Sequence, residues 1–411
     1  MVGRLRTLAT VAWRTAESLA LAVSAYQSAV TLAGYLKRKT AAAPAEPPPG
    51  WRPRFALVVC ARDEERVVGR VVGDLLGQEY PSELRDVFVA AHNCTDRTAE
   101  IARASGAEVI DVHSAVPGKA LAIRAALERI GDGYDFIGIF DADARAEPGL
   151  LRAIAGRGPG TDCLQVETVP IGDPEWTAEG YGFGRKARNL FWWQPREALG
   201  LGTTISGCGW FIRPELLREE LPKVTTLTED LELTARLALR GVPVTYVSDA
   251  RVAVGEARDL RTSVRQRLRW VRGHLLVVAR YWPALALRAA RGDLRALDLA
   301  AYLLVPTRML TRLGASMVAL HALTRRAGAL PMAIALPVTA AEWLVPGIIA
   351  VRERLLTLNR RGVELALRHG VLSLLWFPIG IWALATARVQ AWDPTRRTPA
   401  EVSDGQRAPG R

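Results

Sequence analysis

The stretch FIGIFDADARAEP, residues 136–148, ends an apolar run with two aspartates one residue apart, Asp141 and Asp143. Side chains two apart at a strand end point the same way, so both carboxylates face one ligand or repel each other in water. Either the loop is well solvated, or it holds a cation. A divalent ion bridged to a diphosphate relieves that repulsion and neutralises a phosphate leaving group.

Two further stretches carry chemistry. In TLTEDLELTARLALRG, 226–241, Thr226 and Glu229 fit a capping box at a helix start. Asp230 is not needed by that box. In a first helical turn the dipole stabilises its anion, which suits a group accepting a proton from a sugar hydroxyl. In RQRLRWVRG, 265–273, Gln266, Arg269 and Trp270 fall at i, i+3 and i+4, on one helical face. An arginine pairs with phosphate oxygens and an indole offers a plate for a pyranose ring. A basic helix seated on anionic lipid with its Trp at the interface accounts for the same residues.

The four cysteines (Cys60, Cys94, Cys163, Cys208) lie far apart, with no CxxC and no nearby histidine pair. That spacing argues against a zinc knuckle or a disulfide framework. A metal bound by carboxylates is a hard ion, Mg²⁺ or Mn²⁺.

The elements that must position these groups follow from the apolar pattern. FALVVCA, DVFVAAH, AEVIDV and FIGIFDA read as strands, with helical spacing in EERVVGRVVGDLLGQ, DRTAEIARAS and GKALAIRAALERI between them. This alternation predicts an α/β fold, a mostly parallel Rossmann-like sheet with helices on both faces. Ligands bind outside the carboxyl ends of such strands, where Asp141 and Asp143 stand.

Around this region the composition changes. No charge occurs from Ser18 to Leu36, and KRK follows at 37–39, so residues 1–39 read as an uncleaved N-terminal anchor. A proline-rich linker spans 40–54. Beyond the catalytic region, 55–275, residues 276–296 read as an amphipathic helix in the headgroup layer, 297–388 as membrane helices and 389–411 as a tail. Within 297–388, Gly370–Ala387 is uncharged and Ala327–Val351 is interrupted only by Glu342. Leu299–Thr324 carries Arg308 and Arg312, which are unfavourable in hydrocarbon unless they face protein or the interface. A mean hydropathy of only +0.08 also fits a second soluble domain, but an 18-residue uncharged run favours membrane.

A formal charge of +12 on 411 residues leaves nucleic acid, an anionic membrane face or phosphorylated substrates as partners. Aromatics do not interleave with the basic residues as a base-stacking surface requires, which disfavours nucleic acid.

In this order, DAD, TED and QRLRW resemble the motif series of the family 2 glycosyltransferases, particularly the membrane-embedded branch that makes extracellular polysaccharide. VVCARDEERVVGRVVGDLLGQEYP, AHNCTDRTAEIARASGAEVI, PGKALAIRAAL and ISGCGWFIRPELL are similar to further parts of that family, and the resemblance covers residues 55–275 roughly. It implies a GT-A catalytic domain on the cytoplasmic face of the cell membrane, multi-pass, with Mg²⁺ or Mn²⁺. It implies inverting transfer from a nucleotide sugar, UDP-linked, to a growing glycan that leaves through the membrane helices. Asp141 would contact the nucleotide sugar, Asp143 would ligate the metal, and Asp230 would be the general base. Glu229, Gln266, Arg269 and Trp270 would hold the donor diphosphate and the acceptor, and Lys119 would assist at the diphosphate. Relatives carry an Asp at the nucleotide base where this chain has His92, before NCTD. Transfer of one sugar to a lipid acceptor is the main rival; an inactive subunit of an export complex is another. Retention of all three motifs argues against the latter. WDPTRRT, 392–398, resembles a tail motif kept near the cytosolic site of such synthases.

Overall fold

A computed structural model describes residues 2–38, 46–115, 118–304, 308–324 and 329–386. The tail motif at 392–398 therefore lies outside the described residues.

Among the described residues, eight strands form one mixed sheet: β1 Phe55–Ala61, β2 Arg85–His92, β3 Glu108–Val112, β4 Phe136–Asp141, β5 Arg145–Ala146, β6 Cys163–Pro170, β7 Trp210–Ile212 and β8 Thr245–Val254. Their order is β3-β2-β1-β4-β7-β6-β8-β5. β3, β2, β1 and β4 run parallel, as expected. The short β7 is antiparallel to both its neighbours, and β8 returns parallel to β6.

The pleat divides β1 between two cores. Phe55, Leu57 and Val59 pack with Val68, Val71, Val72 and Leu75 of the helix Val68–Leu76. Ala56 and Val58 pack with Ile123, Ala126 and Leu127 of the helix Lys119–Arg129. Burial on both faces is why these strands read as unbroken apolar runs. Register places Asp141 level with Cys60, and Cys60 level with Ala90, so the chain turns of β1, β2 and β4 open on one edge.

The long helix Leu260–Ala290 runs unbroken across residue 275, so the boundary expected there falls inside one element. Its second half is not left free for the headgroup layer. Val277, Tyr281 and Leu285 pack on Leu231 and Ala235 of the helix Glu229–Leu239 and on Ala296 and Leu299 of the helix Leu294–Leu304. The stripe of Val277, Tyr281 and Leu285 is a protein contact, while Leu287 and Leu294 in the same segment stay exposed, because helical periodicity alone does not say what covers a face.

Among the described residues, three helices are long and apolar enough to cross a membrane: Trp13–Lys37, Met332–Arg352 and Arg360–Ala385. The third includes the span expected from Gly370, with a break at Leu375 between the helices Arg360–Leu374 and Trp376–Ala385. Glu342 is fully buried and faces the first helix, accepting from Ser28 Oγ at 2.7 Å. Arg312 donates to the Glu342 carbonyl at 3.2 Å and lies 5.4 Å from the Trp343 ring, so it too faces protein. Next to Ser28 on the first helix, Gln27 accepts from Arg196 Nη2 at 2.6 Å, and Arg196 Nε pairs with Asp298 at 2.7 Å.

Candidate active site

Asp141 closes β4 at the carboxyl edge, and the chain turns at once, Ala144 N donating to the Asp141 carbonyl at 3.1 Å. Asp143 therefore sits in the turn rather than in the strand. Its Oδ2 would stand 3.1 Å from a Cβ placed on Gly255, just past β8, so a side chain at residue 255 would press on this carboxylate.

Across this edge lies the turn Ser206–Gly209, which enters β7. Gly207 and Gly209 hold φ of +81° and +67°, a region that only glycine adopts readily. Gln165 of β6 braces the turn, its Nε2 donating to the Cys208 carbonyl at 3.0 Å and its Oε1 accepting from Ser206 N at 2.8 Å. Lys119, first residue of its helix, bridges turn and strand: Nζ donates to Asp141 Oδ1 and to the Gly207 carbonyl, both at 2.5 Å. Burial works against this ammonium, but Asp141 and its neighbours keep its proton affinity above the usual lysine range.

The helix Glu229–Leu239 brings the next two carboxylates. Thr226 and Glu229 do not form the expected capping box. Glu232 takes that role, its Oε2 accepting from Thr225 N at 2.8 Å and Thr226 N at 2.7 Å. Glu229 is thereby free to turn into the site. Asp230 Oδ1 accepts from Leu231 N at 2.8 Å, and Oδ2 lies 3.5 Å from where a Gly207 Cβ would stand. Burial and then the Asp230 charge push Glu229 up to about 7, while Lys119 and Arg269 pull it back. Asp230 is also raised, by burial first, against the Leu231 amide and the same two cations. Desolvation outweighs the helix-end effect that favours the anion. A proton acceptor poised nearer neutrality results, which suits general-base work.

The long helix supplies Arg269, whose charge both carboxylates feel and whose Nε is buried without a partner. Its approach is set by Gly273: a Cβ there would meet Thr228 Cγ2 and Oγ1 at 2.6 Å. Trp270, on the same face, is part-buried with its ring 5.5 Å from the Arg267 guanidinium, and Gln266 is half-buried.

Asp141, Lys119, Glu229, Asp230 and Arg269 therefore converge around Gly207. Among the described residues no contact ties His92, Gln266 or Trp270 to that group. His92 ends β2 with Nε2 buried and unpartnered, and burial, then Arg62, lowers its proton affinity, so it is a neutral imidazole. The sequence marked ISGCGWFIRPELL by resemblance alone; the turn formed by its paired glycines, and Gln165 behind it, were not read from it.

Oxygen ligands are the right set for a hard divalent ion here. Asp141 keeps one carboxylate oxygen clear of Lys119 and its side chain is 44% exposed. Cys60, beside it, is a neutral thiol, pushed up to about 12 by burial. Among the described residues, the group with three donors within 4.8 Å lies elsewhere, at Asp63, Cys94 and Asp96. Those oxygens are already used: Asp63 Oδ1 accepts from Thr95 N at 2.7 Å, and Asp96 Oδ2 from Glu65 N at 3.1 Å.

Residues 53–273 match the family described as "Glycosyltransferase like family 2". The chain is 30% identical over 271 residues to the beta-monoglucosyldiacylglycerol synthase of Synechocystis sp. (strain ATCC 27184 / PCC 6803 / Kazusa), covering 62% of this chain and 54% of that one. It is 27% identical over 271 residues to the protein of the same name from Nostoc sp. (strain PCC 7120 / SAG 25.82 / UTEX 2576), covering 62% and 56%. The chain thus spans about half the length of the curated relatives it matches. Among solved structures, the mannosyltransferase PcManGT from Pyrobaculum calidifontis, in complex with GDP-Man and Mn²⁺, superposes with a TM-score of 0.52. That likeness takes in 89% of this chain and 99% of that one at 18% identity, and it speaks to the fold alone. With more than half of its residues inside the family match, the chain belongs to the family 2 glycosyltransferases and is a glycosyltransferase of GT-A architecture.

Proposed function

We propose that this enzyme transfers a single sugar from a nucleotide sugar, UDP-linked, to a hydroxyl of a membrane lipid, with inversion. The observation that carries the reading is the long helix Leu260–Ala290. One face meets Thr228 beside Glu229 and Asp230. Leu268 and Val271, on another face, pack on Ile379 and Ala383 of the candidate span Arg360–Ala385. A hydroxyl carried at the membrane surface is then one helix away from the base. The names of the Synechocystis and Nostoc relatives favour a lipid acceptor over the extracellular polysaccharide that the motif order implies. Arg352, Arg354, Arg360, Arg361 and Arg368, gathered around the turn between two candidate spans, favour a multi-pass arrangement with the catalytic domain on the cytoplasmic side of the cell membrane.

In this reading Asp230 takes the proton of the acceptor hydroxyl as that oxygen bonds the anomeric carbon. The bond from that carbon to the diphosphate oxygen breaks, and the nucleoside diphosphate leaves with the electron pair. Arg269 and Lys119 supply positive charge on either side of the reacting atoms. Asp143, with Asp141, would hold Mg²⁺ or Mn²⁺, which supplies charge neutralisation to the diphosphate when bound. His92 faces the nucleotide base as a neutral imidazole, and Gln266 and Trp270 line the acceptor side.

The test is transfer by detergent-extracted full-length protein from labelled UDP-sugars, with Mn²⁺ and diacylglycerol. Label extractable into organic solvent and one sugar in size is expected. Label in a long, water-soluble polymer would instead establish the polysaccharide reading. Absence of transfer from every nucleotide sugar, with the nucleotide still bound, would leave an inactive binding subunit.

A further inference from the structure

The helix Trp176–Arg188 carries two guanidinium groups into the layer between the sheet and the helix Arg360–Leu374. The long helix brings a third. Arg185 has a carboxylate, its Nε lying 2.5 Å from Glu256, whose side chain is 7% exposed. Arg267 is 4% exposed and, among the described residues, has no carboxylate partner. Its NH1 donates to Ser263 Oγ at 2.8 Å, its guanidinium lies 3.3 Å from the Tyr181 ring centre, and its Nε is unpartnered. Arg188 stacks on Trp193 at 4.3 Å and reaches Thr168 Oγ1 only at 3.4 Å. Its Nε and the neighbouring Asn189 Oδ1 are buried without partners.

Glu256 is the carboxylate whose charge both Arg188 and Arg267 feel, and it is already paired with Arg185. Among the described residues, one negative charge therefore serves three positive ones. Burying a guanidinium without a counter-charge is strongly unfavourable, and stacking on Tyr181 and Trp193 offsets only part of that. The turn that follows Arg188, Asn189–Trp193, is π-helical, a rare geometry that recurs at functional sites.

The position of the cluster narrows the missing anion. Gly255, next to Glu256, touches Asp143, so the cluster borders the catalytic edge. On its other side the helix Trp176–Arg188 lies against the candidate span: a Cβ on Gly180 would meet Leu372 at 2.6 Å, and one on Gly184 would meet His369 at 2.5 Å. We infer that Arg185, Arg188 and Arg267 hold a phosphate group carried by a membrane lipid, seated between the catalytic edge and the membrane helices. Guanidinium forks match phosphate oxygens in geometry as well as charge. Thr168, whose Oγ1 accepts from Arg188, keeps its hydroxyl hydrogen to complete the shell.

This site goes beyond sugar transfer, and its test needs no turnover, so it stands or falls separately from the acceptor reading. Full-length protein in dodecyl maltoside is titrated with phosphatidylglycerol and the retained lipid is counted by native mass spectrometry. One tightly retained phosphatidylglycerol is expected on the wild type. Arg188→Gln with Arg267→Gln should weaken that retention about ten- to a hundredfold, the range of charged hydrogen bonds. UDP with Mn²⁺ should bind the variant as it binds the wild type. Unchanged lipid retention in the double variant overturns the site. So does inorganic phosphate binding with no lipid retained, which makes the ligand a free anion. Loss of UDP binding with lipid retention intact would give these arginines to the donor diphosphate instead. If the double variant fails to fold, the wild type decides: phosphatidylglycerol must raise its unfolding temperature more than neutral diacylglycerol does, and equal effects overturn the proposal.

Discussion

Gly273→Ala tests whether the approach of the long helix sets the geometry of the base. The added methyl would begin 2.6 Å from Thr228 Cγ2 and Oγ1. Carbon atoms settle at about 3.5 Å or more, so the helix or the Thr228 turn must retreat by about 0.9 Å. Thr228 directly precedes Glu229, and Arg269 lies one turn before Gly273, so that retreat separates Arg269 from the carboxylates it faces. Overpacking of this kind typically destabilises by about 1–3 kcal/mol, and a misplacement near 1 Å lowers rate by about 10²-fold. Transfer should therefore fall by one to two orders of magnitude with modest loss of heat stability. Thr228→Ala supplies the control. It removes the two nearest atoms, leaving Thr228 Cβ at 3.0 Å, and Thr228 Oγ1 has no partner to lose. Added to Gly273→Ala, it should recover much of the rate. Initial rates and unfolding temperatures of the two singles and the double form one cycle. Wild-type activity in Gly273→Ala, or strict additivity in the double, would show that this contact does not place the site.

Asp230→Asn should lower transfer by about 10²- to 10⁴-fold while UDP still binds with Mn²⁺, and Asp143→Asn should lose metal-dependent UDP affinity together with transfer. Calorimetric titration beside a rate assay distinguishes them, and the reverse pattern would exchange the two roles. Chelation should abolish activity, with recovery on Mn²⁺ or Mg²⁺ but not Zn²⁺; full activity in excess EDTA removes the metal role of Asp143. Glu229 at about 7 binds its proton more tightly folded than unfolded. Its protonated form thus adds stability that is complete below the ordinary glutamate range, near 4.5, and lost as pH rises through 7. Heat stability of Glu229→Gln followed across that window should be flatter than wild type, and a parallel curve would contradict the burial of Glu229.

The half of the sheet that was legible in the sequence is the half buried on both faces. β1, β2, β3 and β4 are apolar runs because helices cover them twice, and that placed Asp141 at a strand end. β6 escaped notice because Gln165 and Glu167 give it a polar alternation that reads as solvent-facing. Both are buried, Gln165 holding the Ser206–Gly209 turn and Glu167 accepting from Arg251 Nε at 2.8 Å. The convergence of Asp141 and Asp230 was readable only through motif order. Residues 141 and 230 meet through Lys119 and the Gly207 carbonyl, and no local pattern announces a tertiary bridge. The capping box failed for a related reason. Thr226 and Glu229 satisfy the motif, but Glu232 is also in reach of the two amides and leaves Glu229 to the cleft.

The buried carboxylate of Glu342 sets an order on biogenesis. Ser28 meets it across 314 residues of sequence, and Thr31 on the same helix waits for the Phe191 carbonyl. At roughly 5–20 residues per second, about 15–60 s separate synthesis of Ser28 from arrival of Glu342. For that interval Ser28 lacks its native acceptor, and the finished bundle cannot close. Closure of the helical layer is thus a late event, and a nascent chain halted before residue 342 would expose an unmated helix to whatever quality control surveys the ribosome.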